Sequence, residues 1–555
     1  MIERVSGAES VSRKFRRYLK TACLSTAILT LGCGVVLAKD ADILIRNGLI
    51  VDGNGGQPYK GDIAIKDGVI QAVGKIKNIK ARTVVDAKGY VVSPGFIDPH
   101  THIPEAIEHL DGKFLSEQDI RQGVTTVIIG PDGFKSPEEL RAILAAAKAK
   151  GTSQNYGCYV GHNGVRKAVM GNVQRTPSAQ ELDAMRAQVR EGMDLGCVGL
   201  SSGLMYEPGM FSEPGEIVEL AKVVKPYDGI YDSHSRNPVK HFLQSELETA
   251  EIGIKAGIPA NLGHVKAVGL GNEGKAIELV GRVDELIAKG YPITGDVYPY
   301  DGAATTPLAA ILVYPDQASR KDWSPEAAMT RLRATLKDAK AVAQLKDHSE
   351  NGINGGFSWI KAVGYDSMRI VDIPSHPELL DKYISLLAQE RGEDPFKTLT
   401  DLLLATDGKL TITLGAIKDP DLHAMLKAPW AMISSDGSHI HGNYALHPRS
   451  TGSFARVLGH YSRDLKLFSL EEAVRKMTSL PADTLRLYDR GRLQAGKVAD
   501  IAIFDPATII DKSTYMEPRT LAVGMNHVLV NGEFVLRNGK MTEAVPGHFV
   551  ARQKK

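Results

Sequence analysis

Pro94-Gly95-Phe96-Ile97-Asp98-Pro99-His100-Thr101-His102 is a short apolar run that stops at two histidines one residue apart. A strand alternates its side chains, so His100 and His102 are expected on one face at a strand's end, where two imidazoles can chelate one ion. With 16 histidines in 555 residues, chance gives about 0.5 such pairs, and His439-Ile440-His441 is a second one. The spacing therefore gains its weight from position. Seven further apolar runs end at polar clusters in the same way. They stop at Gly130-Pro131-Asp132, Gly161-His162-Asn163, Leu200-Ser201-Ser202-Gly203 and Ser233-His234-Ser235-Arg236. The last three stop at Gly263-His264-Val265-Lys266, Asp296-Val297-Tyr298 and Ser434-Ser435-Asp436. Helical patterns over residues 137–150, 179–195, 240–256 and 274–289 separate many of them. Strand alternating with helix predicts a parallel sheet. Eight such strands predict a (β/α)₈ TIM-type barrel, whose chemistry sits at the C-terminal ends of its strands.

Working outward, residues 40–92 read as short strands separated by Asn-Gly and Asp-Gly turns, which is hairpin chemistry. Residues 491–550 answer them with Ala499-Asp500-Ile501-Ala502-Ile503-Phe504 and Val528-Leu529-Val530. A β-sandwich assembled from both termini is expected to flank a barrel spanning 93–490. The rhythm breaks once, at about residues 301–427, where helical patterns such as 324–340 and 377–391 stand before the last barrel strand. That stretch predicts an inserted subdomain over the strand ends.

An apolar content of 43% and a charged content of 24% are ordinary for a globular protein. A net charge of +2 gives no reason to expect a nucleic-acid partner. Residues 1–38 stand apart. Arg13, Lys14, Arg16, Arg17 and Lys20 precede an uncharged run over residues 21–38, the pattern of a secretory signal peptide. Export to the periplasm or medium is expected, with no stable membrane span in the mature form. Arg16-Arg17 with Tyr18-Leu19-Lys20 loosely matches a twin-arginine signal, so the choice between that route and Sec stays open. Cys23 and Cys33 fall in this leader, leaving Cys158 and Cys197, which are expected as buried free thiols.

His100, His102, His234, His264 and Asp436 suit Zn²⁺, with other divalent ions as alternatives. Such an ion lowers the pKa of a bound water to about 7. Asp436, on the last strand, could take that water's proton and later give it to a leaving amine.

The residues resemble the amidohydrolase superfamily, and within it the N-acyl-D-amino-acid deacylases (D-aminoacylases). The matching words are Gly95-Phe96-Ile97-Asp98-Pro99-His100-Thr101-His102, Gln122-Gly123-Val124-Thr125-Thr126-Val127 and Gly199-Leu200-Ser201-Ser202-Gly203-Leu204 with Tyr206-Glu207-Pro208-Gly209. Asp296-Val297-Tyr298-Pro299-Tyr300, Ser435-Asp436-Gly437 and His447-Pro448-Arg449 complete the set. The resemblance implies one or two metal ions on His100, His102, His234, His264 and Asp436, and substrate contacts at Lys266, Tyr298 and Arg449. It departs from the family at Gly130-Pro131-Asp132-Gly133, where many members carry a bridging cysteine. Asp132 could still ligate, with a leaning toward harder ions than a thiolate has. The fourth strand, Gly196-Cys197-Val198-Gly199-Leu200-Ser201-Ser202, lacks the lysine that hydantoinase-type relatives carboxylate.

The expected activity is metal-dependent hydrolysis of a linear amide, releasing an acid and a D-amino acid from an N-acyl amino acid or a D-amino-acid-containing peptide. A dipeptidase-like or lactam-cleaving relative is a second reading. An exported binding protein without turnover is a third, disfavoured by Asp436 standing with four histidines.

Overall fold

Five strands open the described chain: β1 (Asp40–Ile50), β2 (Tyr59–Lys66), β3 (Val69–Gly74), β4 (Lys80–Asp86) and β5 (Val91–Pro94). The structure is a computed structural model that describes residues 40–554 apart from 270, 315–323, 354–357, 416 and 441–446. The expected leader lies outside the described residues. Asp67 and Gly68 join β2 to β3 with φ of 49° and 75°. Two positive φ values suit the right-handed twist of a hairpin, and Asp-Gly supplies them cheaply.

The barrel strands follow: β6 (Phe96–Asp98), β7 (Val124–Ile129), β8 (Asn155–Gly161), β9 (Gly199–Gly203), β10 (Ile230–His234), β11 (Ala260–Leu262) and β12 (Ile293–Val297). Three strands of the insertion come next, β13 (Gly302–Pro307), β14 (Met368–Asp372) and β15 (Thr411–Gly415), and then the last barrel strand, β16 (Ala431–Ile433). The eight barrel strands form one sheet in the order β16-β12-β11-β10-β9-β8-β7-β6, parallel wherever they pair. Backbone bonds beyond the strand ends draw its two edges together: Asp436 N–H donates to the His100 carbonyl and His102 N–H to that of Gly437, each at 2.9 Å. All eight strands expected from the sequence are present, and their C-terminal ends converge.

The crossover helices start where their sequences direct. Ser136 and Ser178 each accept from the backbone of a glutamate three residues on, and that glutamate reaches back. These capping boxes satisfy N–H groups that a helix start leaves open. The insertion packs a core of its own, in which Leu308, Met329, Leu332, Ile370, Leu399 and Ile412 cluster apart from the barrel.

The chain closes with β17 (Ile501–Phe504), β18 (Met525–Val530), β19 (Glu533–Arg537) and β20 (Lys540–Met541). These share one nine-stranded sheet with β1–β5, because β17 pairs with both β5 and β18. Alternation along β17 divides its side chains. Ile501 and Ile503 enter the sheet's own core, while Ala502 and Phe504 join the barrel's. The final residues then run under the barrel: Val550 N–H donates to the Tyr156 carbonyl, and its side chain packs with Ile97, Ile128 and Tyr159.

One expectation is overturned. Cys158 and Cys197 are not free thiols; they are disulfide-bonded. Pairing of β8 with β9 sets Tyr159 opposite Gly199. That register brings the two cysteines to a Cα–Cα distance of 4.6 Å, within reach of a bridge. Their separation of 39 residues hides this neighbourhood in the sequence.

Sheet and barrel are tied at Asp500. Its carboxylate accepts from Arg490 at 2.5 Å, from Asn155 of β8 at 3.1 Å and from the Asn531 N–H at 2.7 Å. Its backbone carbonyl accepts from Gly95, just before β6. Arg490 and Asp500 are both buried, so removing one charge strands the other. Arg490→Met should lower stability by about 3–5 kcal/mol, read as a reduced urea midpoint. An unchanged midpoint would show that this pair does not hold the joint.

Candidate metal centre

The loop after β7 places Asp132 at the middle of the barrel mouth. Asp132 has φ 59°, between Gly130 at 74° and Gly133 at 75°. Aspartate is among the few side chains that adopt this left-handed conformation at modest cost. A Cβ on Gly133 would stand 2.4 Å from Asn163 Oδ1 and 2.8 Å from the Gly203 nitrogen, so only glycine fits against β9.

Four histidines surround the carboxylate. Asp132 Oδ1 lies 3.4 Å from His100 Nε2, 3.6 Å from His234 Nδ1 and 3.4 Å from His264 Nε2. Asp132 Oδ2 lies 3.5 Å from His102 Nε2. Asp436 Oδ1 approaches His102 Nε2 at 3.6 Å and His100 Nε2 at 3.9 Å. Donor atoms of His100, Asp132, His264 and Asp436 all fall within 4.8 Å of one another. His100 and His102 reach this point from beyond β6, since that strand ends at Asp98. The pairing thus comes from the loop that follows and not from strand alternation.

The imidazoles of His102 and His264 are oriented from behind. His102 Nδ1 faces Glu105 Oε1 at 3.3 Å, and Lys135 neutralises the other glutamate oxygen at 3.2 Å. His264 Nδ1–H donates to the Gly263 carbonyl, leaving Nε2 as the lone-pair nitrogen toward Asp132. Tyr206 Oη lies 3.3 Å from His234 Nδ1. Asp296 accepts from the His264 N–H at 2.9 Å and from Asn261 at 2.7 Å. Glu105 is a neighbour that the sequence reading passed over, and Tyr206 and Asp296 entered it only inside strand-end and family words. Glu105 had one signal, its place three residues after His102.

These donors fit a divalent cation. His100 Nε2 and Asp132 Oδ1 are buried and have no hydrogen-bond partner. Burial favours neutral His264 and His234, and the nearby Lys266 ammonium pushes the same way. Burial works against charge on His100, yet Asp132, Asp296 and Asp436 outweigh it and push its pKa up to about 9. Burial raises the Asp132 carboxyl, yet the positive charge of the His100 ring beside it holds it well below the usual carboxylate range. The carboxylates call for positive charge where His100 Nε2 and His264 Nε2 face Asp132, and a divalent cation would supply it.

Beside the cluster stand the other expected residues. Arg449 Nη1 lies 3.0 Å from Asp436 Oδ2, and its guanidinium sits over the Tyr298 ring at 4.7 Å. Lys266 Nζ is 5.9 Å from the same ring. The structure therefore brings together His100, His102, Asp132, His234, His264, Asp436, Lys266, Tyr298 and Arg449. His162, at the end of β8, is turned elsewhere and pairs with Glu216 at 2.9 Å.

Comparison with known proteins agrees with this geometry. A family described as "Amidohydrolase family" matches residues 368–536. The chain is 31% identical over 537 residues to a D-aminoacylase of Alcaligenes xylosoxydans xylosoxydans, covering 92% of this chain and 98% of that one. It is 30% identical over 517 residues to an N-acyl-D-glutamate deacylase of the same organism, covering 89% and 94%. Among solved structures, an N-acyl-D-glutamate deacylase from Bordetella bronchiseptica, complexed with zinc and a phosphonate mimic of the tetrahedral intermediate, superposes with a TM-score of 0.73. That match has 29% identity and covers 92% of this chain and 100% of that chain.

If Asp132 is a ligand, Asp132→Ala should lower the bound metal, whereas Asp132→Cys should keep or tighten zinc. Elemental analysis after dialysis against a weak chelator checks both. Glu105→Gln should weaken metal affinity by about 10–100-fold, as loss of a ligand's orienting partner does.

Proposed function

We propose that this chain, which belongs to the D-aminoacylase family of amidohydrolases, hydrolyses N-acyl-D-amino acids to a carboxylic acid and a free D-amino acid. The observation that carries the reading is the convergence of His100, Asp132, His264 and Asp436 within 4.8 Å, with Arg449 at 3.0 Å from Asp436. His100, His102, Asp132, His234, His264 and Asp436 would hold one or two divalent ions, zinc first, as zinc is present in the N-acyl-D-glutamate deacylase. When bound, the ion supplies polarisation of the amide carbonyl and a water acidic enough to lose a proton near neutral pH.

The chain's own residues do the rest. Asp436 takes the proton of the attacking water and returns it to the nitrogen as the C–N bond breaks, which lets a poor amine leave. Arg449 presents a fork of donors matched to a carboxylate. Tyr298 backs that fork, and Lys266 adds a second cation. One end of an N-acyl amino acid is thereby gripped beside Asp436.

We also propose that the protein is exported. The basic and then uncharged character of residues 1–38 supports this. So does the Cys158–Cys197 bridge, since disulfides persist in oxidising compartments. Among the described residues no helix is long and apolar enough to cross a membrane. Fractionation of cells producing the chain with and without residues 1–38 tests it: the full chain should leave the cytoplasm and the shortened one should stay.

Chelation should abolish hydrolysis and zinc should restore it; full activity without detectable metal would end the metal reading. Asp436→Asn should cut kcat by about 10²–10⁴-fold, the usual worth of general acid–base catalysis. Arg449→Ala should chiefly raise KM. Its effect should shrink on a substrate whose carboxylate is amidated. Near-normal kcat in Asp436→Asn would refute the proton-transfer role.

A further inference from the structure

We propose that His447 is a positioning residue: it fastens the neck of the insertion to the backbone of Arg449, so that the seat of the insertion sets how Arg449 meets a substrate's carboxylate. The inference rests on the carboxylate-binding reading of Arg449 given above.

The neck of the insertion is where the chain leaves and returns. Asp301 and Gly302 begin it, and the Ile417 N–H donates back to the Asp301 carbonyl at 3.0 Å. Tyr515, from the segment between β17 and β18, grips this neck. Its hydroxyl donates to Asp301 Oδ1 and accepts from the Gly302 N–H, both at 2.7 Å. His447 lies buried against the same point. His447 Nε2 is 3.1 Å from the Gly302 carbonyl, and the Arg449 N–H donates to His447 Nδ1 at 3.1 Å.

These two contacts fix the ring's state. A carbonyl can only accept and a backbone N–H can only donate, so the proton must sit on Nε2 and the lone pair on Nδ1. No other tautomer serves both partners, and a doubly protonated ring would set two donors face to face at Arg449. Aromatic rings hold this orientation: Tyr515 packs edge-on at 4.9 Å and Tyr300 at 5.6 Å. The contact is tight from the insertion's side too. A Cβ on Gly302 would stand 2.6 Å from the Tyr515 hydroxyl and 2.8 Å from His447 Nε2.

A buried histidine in an aromatic box is commonly only part of a core. Here its two hydrogen bonds end on functionally distinct parts. One is the insertion, which has its own core, and the other is the residue whose guanidinium touches Asp436 and Tyr298. Neither His447 nor Gly302 has been given a part in binding the metal, the substrate or the moving protons.

The test uses the whole purified enzyme and two probes, an N-acetyl-D-amino acid and its carboxamide. If His447 is the latch, His447→Ala raises KM for the acid about tenfold, the order of one lost hydrogen bond. Its kcat stays within about twofold, as expected when ground and transition states are affected alike. KM for the carboxamide barely moves. Gly302→Ala produces the same pattern from the other side of the contact, and His447→Ala adds nothing once Arg449→Ala is present. His447→Asn keeps an acceptor for the Arg449 N–H but does not reach Gly302, so it behaves like the alanine variant. Recovery of normal KM in His447→Asn would reduce the residue to a local turn and overturn the latch. So would an unchanged KM in Gly302→Ala, or equal losses on acid and carboxamide in His447→Ala. If His447→Ala fails to fold by circular dichroism, the Gly302 and asparagine variants decide. Should Arg449→Ala treat acid and carboxamide alike, the carboxylate reading falls, and the latch falls with it.

Discussion

The site depends on one buried carboxylate. Asp132 stands 3.4–3.6 Å from nitrogens of four imidazoles contributed from the ends of three separate strands. A lone ionised carboxylate out of water costs several kcal/mol unless charge or hydrogen bonds answer it. Its two oxygens divide that answer: Oδ1 faces His100, His234 and His264, and Oδ2 faces His102. A carboxylate can therefore address two neighbouring positions through two atoms, where a thiolate has one. Among the described residues no thiolate competes for the place, because Cys158 and Cys197 are bonded to each other.

Convergence of this kind needs strand ends from around a ring, which is what parallel closure provides. It also needs unusual backbone. Asp132, His264 and Asp436 have φ of 59°, 35° and 45°, all in the left-handed region. Such conformations cost on the order of 1–3 kcal/mol each and persist where the surroundings over-determine them. Here the surroundings do: Asp296 holds the His264 N–H, and the His100 carbonyl holds that of Asp436. Local strain at the mouth is offset by the packed strands beneath.

Much of this was legible in the sequence. The eight strand ends announced themselves because each apolar run stops at a polar cluster. The four histidines and Asp436 were readable for that reason, and Lys266, Tyr298 and Arg449 through their family words. What stayed hidden depends on contacts between distant segments. Glu105 takes its meaning only from the fold, which sets its oxygen 3.3 Å from His102 Nδ1. The disulfide was missed because strand register, not spacing, brings Cys158 to Cys197. The sequence reading set His100 and His102 on one face of a strand, whereas both lie past the end of β6.

The sheet built from both termini has a consequence for how the chain comes to be folded. Ser93, at the threshold of the first barrel strand, hydrogen-bonds to the Ala502 carbonyl across 409 residues. Pairings of such separation form slowly, because a long loop must close before any contact rewards it. During synthesis the β17 edge of β5 stays open until nearly the whole polypeptide has been made. An open edge is a template for wrong partners, and this one lies directly before the segment that carries His100 and His102. The same arrangement acts as a completeness check: the foundation of the first histidine pair is finished only by residues near the far end of the chain.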